Sequence, residues 1–558
     1  MDGVTYFPPD VAQRYRERGY WEDRPLIADF DDAFRNHGDR VAFVDGPERI
    51  TYAQLGERVE RLARHLLDLG YRPLDRVVLH LPNTVDFAYV YFALQHVGAI
   101  PLAALPLHRH REISHYLEFI DARGYAISGD AGGFDFVDLA RQALEAVPDV
   151  EHVLVAGKGA PDDAPFVSID RLLATEPRAT AADLAAVRAE IDPDDPCCFQ
   201  LSGGTTGIPK VIPRSHNDYV YNSKVAADVN DVGPDDALLV VLPIAHNFPL
   251  ACPGIQGFLL AGARCILSTS PRAADVLPLI EREQVTHLEL VPALIIRWLE
   301  DPILEQTDLS SVRVVNSGGQ KWQPETKVRT EETFPNGKVQ EVFGMAEGLL
   351  FFPRLDDPTD VRIETVGRPV SPDDEVRLVD DDGNDVAFGE MGELVCRGPY
   401  TLRGYFNVPE HNARVFTSDG FFKTGDLMRQ HPSGSYVVEG RKKDVVNRGG
   451  EKISTEEVEN LILQLPDVSN VSCVPMPDRV LGERMCAFVI TQPGATVTLA
   501  DVCAHLTEHG LGKYKHPERL EIIDAFPISN FGKVQKNLLT QRISDILDTE
   551  AGESATTA

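Results

Sequence analysis

The stretch TYAQLGERVERLARHLLDLG, Thr51–Gly70, states the fold class most clearly. Thr51 with Gln54 three residues on forms a capping box, which fixes a helix start. Leu55, Val59, Leu62, Leu66 and Leu69 recur on one face, and Gly70 suits the left-handed residue that closes a helix. Moving outward, an apolar run (Val77–Leu81) precedes a second helical pattern ending near Gly98, followed by Ala99-Ile100-Pro101-Leu102. Strand, helix, strand in succession means βαβ units and a parallel sheet. The alternation returns at Ala237–Leu242 and Thr286–Val291.

After about residue 370 short strands with turn signals dominate: EVRLVDDDGNDV, GELVCRGPY and GSYVVEGR. From Asp444 onward EEVENLILQLPDV and LADVCAHLTEHGL read as helices again. The expected organisation is α/β. A large N-terminal domain of doubly wound parallel sheets (1–440) carries a β-rich subdomain at about 370–440, and a small α+β domain follows at 441–545. The polar end, residues 546–558, is expected to be disordered.

A chain of 558 residues is too long for one core, so at least two domains are expected. The formal charge of −32 argues against a nucleic-acid partner and against adhesion to an anionic membrane. None of the eight cysteines forms a CxxC pair, so zinc and redox motifs are not expected. The first residues lack an apolar signal core and no run approaches 18 apolar residues, so a cytoplasmic protein is expected.

Chemistry first shows in LSGGTTGIPK, Leu201–Lys210, between an apolar strand (Cys197–Leu201) and a helix starting near Asn217. Gly203, Gly204 and Gly207 permit the tight backbone that lets N–H groups approach an anion. Ser202, Thr205 and Thr206 add hydroxyls and Lys210 a cation, but GxxxxGK[ST] is not matched, so this is not a Walker loop.

SGGTTGIPK resembles the phosphate loop of the adenylate-forming superfamily, which includes acyl-CoA synthetases, luciferases and peptide-synthetase adenylation domains. Five further motifs of that superfamily follow in order. They are VFGMAEG (Val342–Gly348), GELVCRGPYTLRGY (Gly392–Tyr405), FFKTGDL (Phe421–Leu427), GRKKDVVNRGGEKIS (Gly440–Ser454) and ISNFGKVQK (Ile528–Lys536). The resemblance implies that a carboxylate attacks the α-phosphorus of ATP and expels pyrophosphate. Both reactants are anions, so the protein must position them and neutralise developing charge. It further implies that Glu347 holds Mg²⁺, Phe343 lies against adenine, and Gly318-Gly319-Gln320 approach it. Val342, Gly344, Met345, Ala346 and Val438 complete the expected ATP contacts. Asp426 matches the aspartate that binds the ribose hydroxyls, with Arg441 reaching ribose or phosphate. Lys533 matches the catalytic lysine and Lys443 the hinge about which the small domain turns.

The acid is suggested by AHNFPLACPG, Ala245–Gly254. The His246-Asn247 pair resembles stand-alone aryl-acid ligases that start siderophore biosynthesis, with His246 among the expected catalytic residues and Phe248, Gly318 and Val342 among those lining the acid. No acidic residue lies between Asn247 and Gly254, so an amino acid's ammonium would lack a counter-charge. Asn247 can hydrogen-bond an ortho hydroxyl instead. Within that subfamily, 2,3-dihydroxybenzoate enzymes resemble HNYxxSSPG with a valine where Leu350 stands. Cys252 in place of serine is a weak donor, and Leu350 is larger than valine, so both favour a ring without a 3-hydroxyl. The expected acid is salicylate. Its activated form would pass to the phosphopantetheine thiol of an aryl carrier protein on another chain. The alternatives are a 2,3-dihydroxybenzoate-AMP ligase, an aryl-CoA ligase or a non-catalytic nucleotide-binding scaffold.

Overall fold

The computed structural model describes residues 1–129, 133–202, 209–319, 321–442, 445–448, 451–478, 481–509, 511–528 and 534–556. Side chains at 447, 451, 452, 514 and 551–556 lie outside that description. The chain divides into two compact units. The first takes Met1–Ser202, residues 209–375 and Cys396–Phe422, and the second takes Val376–Val395 and the chain from Lys423.

Two sheets build the first unit. A seven-stranded sheet runs in the order Phe166–Ser168, His152–Ala156, Gly124–Ser128, Arg76–His80, Ile100–Ala103, Pro196–Leu201, Val211–Ser215. Its pairs are parallel except the last, where Gln200 faces Ile212. The second sheet has nine strands. At its centre Lys338–Met345, Val314–Gly318, His287–Leu290, Ala237–Val240 and Arg264–Leu267 are parallel neighbours.

The helix from Thr51 begins and ends as its sequence dictates. It spans Tyr52–Asp68, with Thr51 Oγ1 accepting from the Gln54 N–H and Gln54 Oε1 accepting from the Thr51 N–H. Gly70 takes φ +89°, the left-handed conformation a C′ residue needs. Leu55, Val59, Leu62 and Leu66 are fully buried, each contributing about 1.5–3 kcal/mol of transfer free energy. Leu69 is half-buried. The strands expected at Val77, Ile100, Ala237 and Thr286 appear at Arg76–His80, Ile100–Ala103, Ala237–Val240 and His287–Leu290.

The second unit contains a five-stranded sheet in which Gly482–Thr491 pairs with Val468–Asp478, Val445–Arg448 and Arg519–Ile522. Helices Thr455–Ile462 and Leu499–Glu508 pack on its core through Val458, Ile462, Val502 and Leu506. Tyr436–Arg441 groups with the chain beyond residue 440, and Ser454 Oγ donates to the Glu439 carbonyl. The tail expected to be disordered from 546 is instead helical to Thr556, in a helix that starts at Lys536. Ile546 and Leu547 pack beside the buried Leu539 and Ile543, and Arg519 holds the Glu550 carboxylate with two nitrogens at 2.7 and 2.9 Å.

Candidate active site

Ser202 and Lys210 clamp the two ends of the glycine-rich loop. The Ser202 N–H donates to the Lys210 carbonyl, and the Lys210 N–H donates to Ser202 Oγ, each at 2.9 Å. Gly203, Gly204, Thr205, Thr206 and Gly207 lie outside the described residues, as do Gln320, Lys443 and Lys533. Gly318 ends its strand opposite Val342, where a Cβ would stand 2.6 Å from the Val342 carbonyl, so only glycine allows this approach. Gly319 follows at φ +83°.

Glu347 sits in the turn between Lys338–Met345 and Gly348–Phe352. Gly348 closes that turn at φ +109°, and a Cβ there would meet the Tyr400 carbonyl at 2.2 Å. Two contacts hold Glu347. Its carbonyl accepts from the Leu402 N–H at 2.7 Å, and its Oε1 accepts from the Tyr405 hydroxyl at 2.7 Å. The Tyr405 ring also lies 5.8 Å from Lys210 Nζ. Tyr405 therefore joins the cation at the end of the glycine loop to the carboxylate of the turn. Phe343 stands edge-on to Phe351 at 5.6 Å. Behind the turn, the buried Arg214 donates to the Ala346 and Tyr400 carbonyls, each at 3.2 Å, while Asp218 balances its charge at 2.8 Å. Breaking such a buried pair from one side is costly, about 3–5 kcal/mol.

His246 and Asn247 open the short helix Asn247–Ala251. His246 is exposed, and its Nδ1 accepts from the Phe248 N–H at 3.3 Å, so its contact here is a helix cap. Asn247 is buried. Its Oδ1 accepts from the Tyr219 hydroxyl at 2.8 Å and its Nδ2 donates to Cys252 Sγ at 3.1 Å. Asn222 Nδ2 donates to the same sulfur at 3.6 Å. Burial pushes the Cys252 thiol up to about 12, so it is a neutral group at physiological pH. Leu350 is buried in the strand beside the Glu347 turn, and its N–H donates to the Tyr400 hydroxyl at 3.3 Å. Phe248 is half-buried.

A carboxyl group that the local sequence does not reveal stands beside this segment. Glu289, on His287–Leu290, accepts from the Gly254 N–H at 2.9 Å. Burial raises it to about 8, so near neutrality it is largely protonated.

The AMP-binding enzyme profile matches residues 30–406, and that of the AMP-binding enzyme C-terminal domain matches residues 457–533. The chain belongs to the AMP-binding enzyme family. A Streptomyces salicylyl-CoA synthase / salicylate adenylyltransferase is 45% identical over 96% of this chain and 97% of its own length. The 2,3-dihydroxybenzoate-AMP ligase of Bacillus subtilis is 43% identical over 98% of this chain and 99% of its own. Among solved structures, apo MbtA of Mycobacterium smegmatis is 40% identical with a TM-score of 0.73, covering 97% of this chain and 98% of its own. Family members use ATP, and the chain is an ATP-dependent, adenylate-forming ligase that activates aryl acids.

In the second unit, Asp426 and Arg441, the pair expected at the ribose, are register partners on adjacent antiparallel strands. Arg441 Nε lies 2.7 Å from Asp426 Oδ1, and its Nη2 lies 3.5 Å from Oδ2. The Asp426 N–H donates to Thr424 Oγ1, which fixes the turn. Val438 lies on the same strand as Arg441, opposite Met428. Sequence reasoning missed Tyr405, Tyr219, Asn222 and Glu289 as parts of the site. Tyr405 ends the GELVCRGPYTLRGY motif and could have been singled out there. Tyr219 and Asn222 gave only a spacing of three on one helix, a common core pattern. Among the described residues no helix is long and apolar enough to cross a membrane.

Proposed function

We propose that this enzyme joins salicylate to AMP and passes the salicyl group to the phosphopantetheine thiol of a separate aryl carrier protein. The observation that carries the choice of acid is Asn247, a buried neutral amide held by Tyr219 and Cys252. Such a site can hydrogen-bond an ortho hydroxyl, and residues 247–254 carry no acidic side chain to pair with an ammonium. Cys252 and Leu350 favour an unsubstituted 3-position over the 2,3-dihydroxybenzoate of the Bacillus relative.

In the adenylation step a carboxylate oxygen forms a bond to the α-phosphorus while the bond to pyrophosphate breaks. Lys210 and the N–H groups of the glycine loop would receive the phosphates, and Asp426 the ribose hydroxyls. Among the described residues no group of three or more His, Cys, Asp or Glu side chains forms a metal cage. One carboxylate at Glu347, oriented by Tyr405, fits a Mg²⁺ ion whose remaining ligands are phosphate oxygens and water. Magnesium would neutralise phosphate charge there. His246, exposed at the head of the acid segment, is proposed to stand near the reacting carboxylate. From their motifs, Lys533 is proposed as the catalytic lysine and Lys443 as the hinge.

ATP–pyrophosphate exchange over salicylate, 2,3-dihydroxybenzoate, benzoate and amino acids tests this reading. Salicylate should exceed 2,3-dihydroxybenzoate by about 5- to 150-fold in kcat/KM, the range for shape discrimination of about 1–3 kcal/mol. Exchange driven by amino acids and by no aryl acid would refute it. Acyl transfer assayed with coenzyme A against a carrier protein then identifies the thiol.

A further inference from the structure

Asparagine is nearly symmetric in shape, so its neighbours decide which end of the amide is oxygen and which is nitrogen. Around Asn247 those neighbours form a chain with a direction. Gln200 Nε2 donates to the Tyr219 oxygen at 3.2 Å. With that side of the hydroxyl taken, its proton goes to Asn247 Oδ1 at 2.8 Å. At the other end Asn247 Nδ2 donates to Cys252 Sγ at 3.1 Å, and Asn222 meets the same sulfur from its own side. All five side chains are buried, with no more than 5% exposure. The Tyr219 ring is itself held against the Arg214 guanidinium, 4.6 Å from its centroid.

A reversed amide would set N–H against a hydroxyl whose proton then has no acceptor, which a buried site disfavours. We propose that Tyr219 is a positioning residue that locks Asn247 as a donor, so that the enzyme selects acids whose ortho substituent accepts a hydrogen bond. The proposal rests on the aryl-acid reading above and deepens it. Nδ2 carries two hydrogens; Cys252 receives one and the other is left for the acid. Salicylate's hydroxyl can accept it while sending its own proton to its carboxylate. Anthranilate matches salicylate in size, but its amine lone pair is delocalised into the ring and its N–H groups would face a donor. Benzoate leaves the amide hydrogen without a partner.

The test is the ratio of kcat/KM for salicylate to that for anthranilate, measured by pyrophosphate exchange in the full-length wild type and in Tyr219→Phe. Phenylalanine keeps the ring and removes only the hydroxyl that orients the amide. The wild type should prefer salicylate by at least about tenfold, and Tyr219→Phe should lower that ratio by about tenfold. Gln200→Met, which frees the hydroxyl to turn, should lower it in the same direction, so the test survives if one variant folds poorly. A ratio unchanged in both variants, with all acids falling equally, would overturn the proposal and make Tyr219 a packing residue. A wild type that turns over anthranilate as well as salicylate would overturn it too. A wild type that activates no benzoic acid would refute the aryl-acid reading itself, a separate outcome.

Discussion

Replacing Glu289 with glutamine should change how the stability of the first unit depends on pH. The folded chain holds this carboxyl at about 8, against an ordinary 4.5, because burial penalises the charged form. Between those values the folded state keeps a proton that the unfolded chain has released, so stability falls as pH rises. The contribution is fully present below about 4.5 and is lost as pH rises through about 8. Integrated from pH 5 to 8, the loss is on the order of 3 kcal/mol, at about 1.4 kcal/mol for each pH unit of one-proton difference.

Glutamine cannot ionise, yet it keeps a carbonyl to accept the Gly254 N–H. Its amide nitrogen would occupy the place of Oε2, which has no hydrogen-bond partner among the described residues, so a pH-independent offset is expected. Asp374, raised to about 7 by burial, adds a slope of the same sign in both proteins, and the difference between them isolates Glu289. Calorimetry at pH 5 and pH 8 should show the wild type losing more Tm than Glu289→Gln by roughly 6 °C, at about 2 °C per kcal/mol for a large domain. Parallel Tm-against-pH curves would refute the assignment of a buried, protonated acid.

Three further outcomes test the site itself. Cys252→Ser with Leu350→Val should move preference from salicylate toward 2,3-dihydroxybenzoate by about 1–3 kcal/mol, or roughly 5- to 150-fold in the ratio of kcat/KM; an unchanged ratio would remove both side chains from specificity. Glu347→Gln should raise the Mg²⁺ concentration for half-maximal exchange about tenfold or more, checked by magnesium titration, because a neutral amide is a weaker ligand for a hard cation. Lys533→Ala should cut adenylation by about 100-fold or more while substrate still binds, read by pyrophosphate exchange alongside ATP binding.

Much of the fold is written in local pattern. The capping box at Thr51 and Gln54 and the apolar spacing from Leu55 to Leu66 need no distant partner to declare a helix, and the structure places it within a residue of its signals. Asn247 and Cys252 were legible because they stand five positions apart in one segment, and the structure puts them in direct contact. What orients Asn247 was not legible. Gln200 and Tyr219 lie 47 and 28 residues away in the chain, on a strand and a helix that meet only on folding. Glu289 was hidden in the same way, since an acid inside an apolar strand gives no sign of which N–H will face it. The chain end misled for a related reason. Its small polar residues look unstructured, whereas Ile546, Leu547 and Glu550 anchor the helix to the second unit.

The central claim is that this enzyme makes an acyl-adenylate, and the fate of one oxygen atom tests it most directly. Salicylate labelled with ¹⁸O in its carboxylate, turned over with ATP and a thiol acceptor, should leave one ¹⁸O in AMP, because the attacking oxygen stays on the α-phosphorus when the thiol takes the acyl group. Mass spectrometry should therefore find singly labelled AMP with unlabelled pyrophosphate. ADP with labelled inorganic phosphate would mean attack at the γ-phosphorus and would contradict the account.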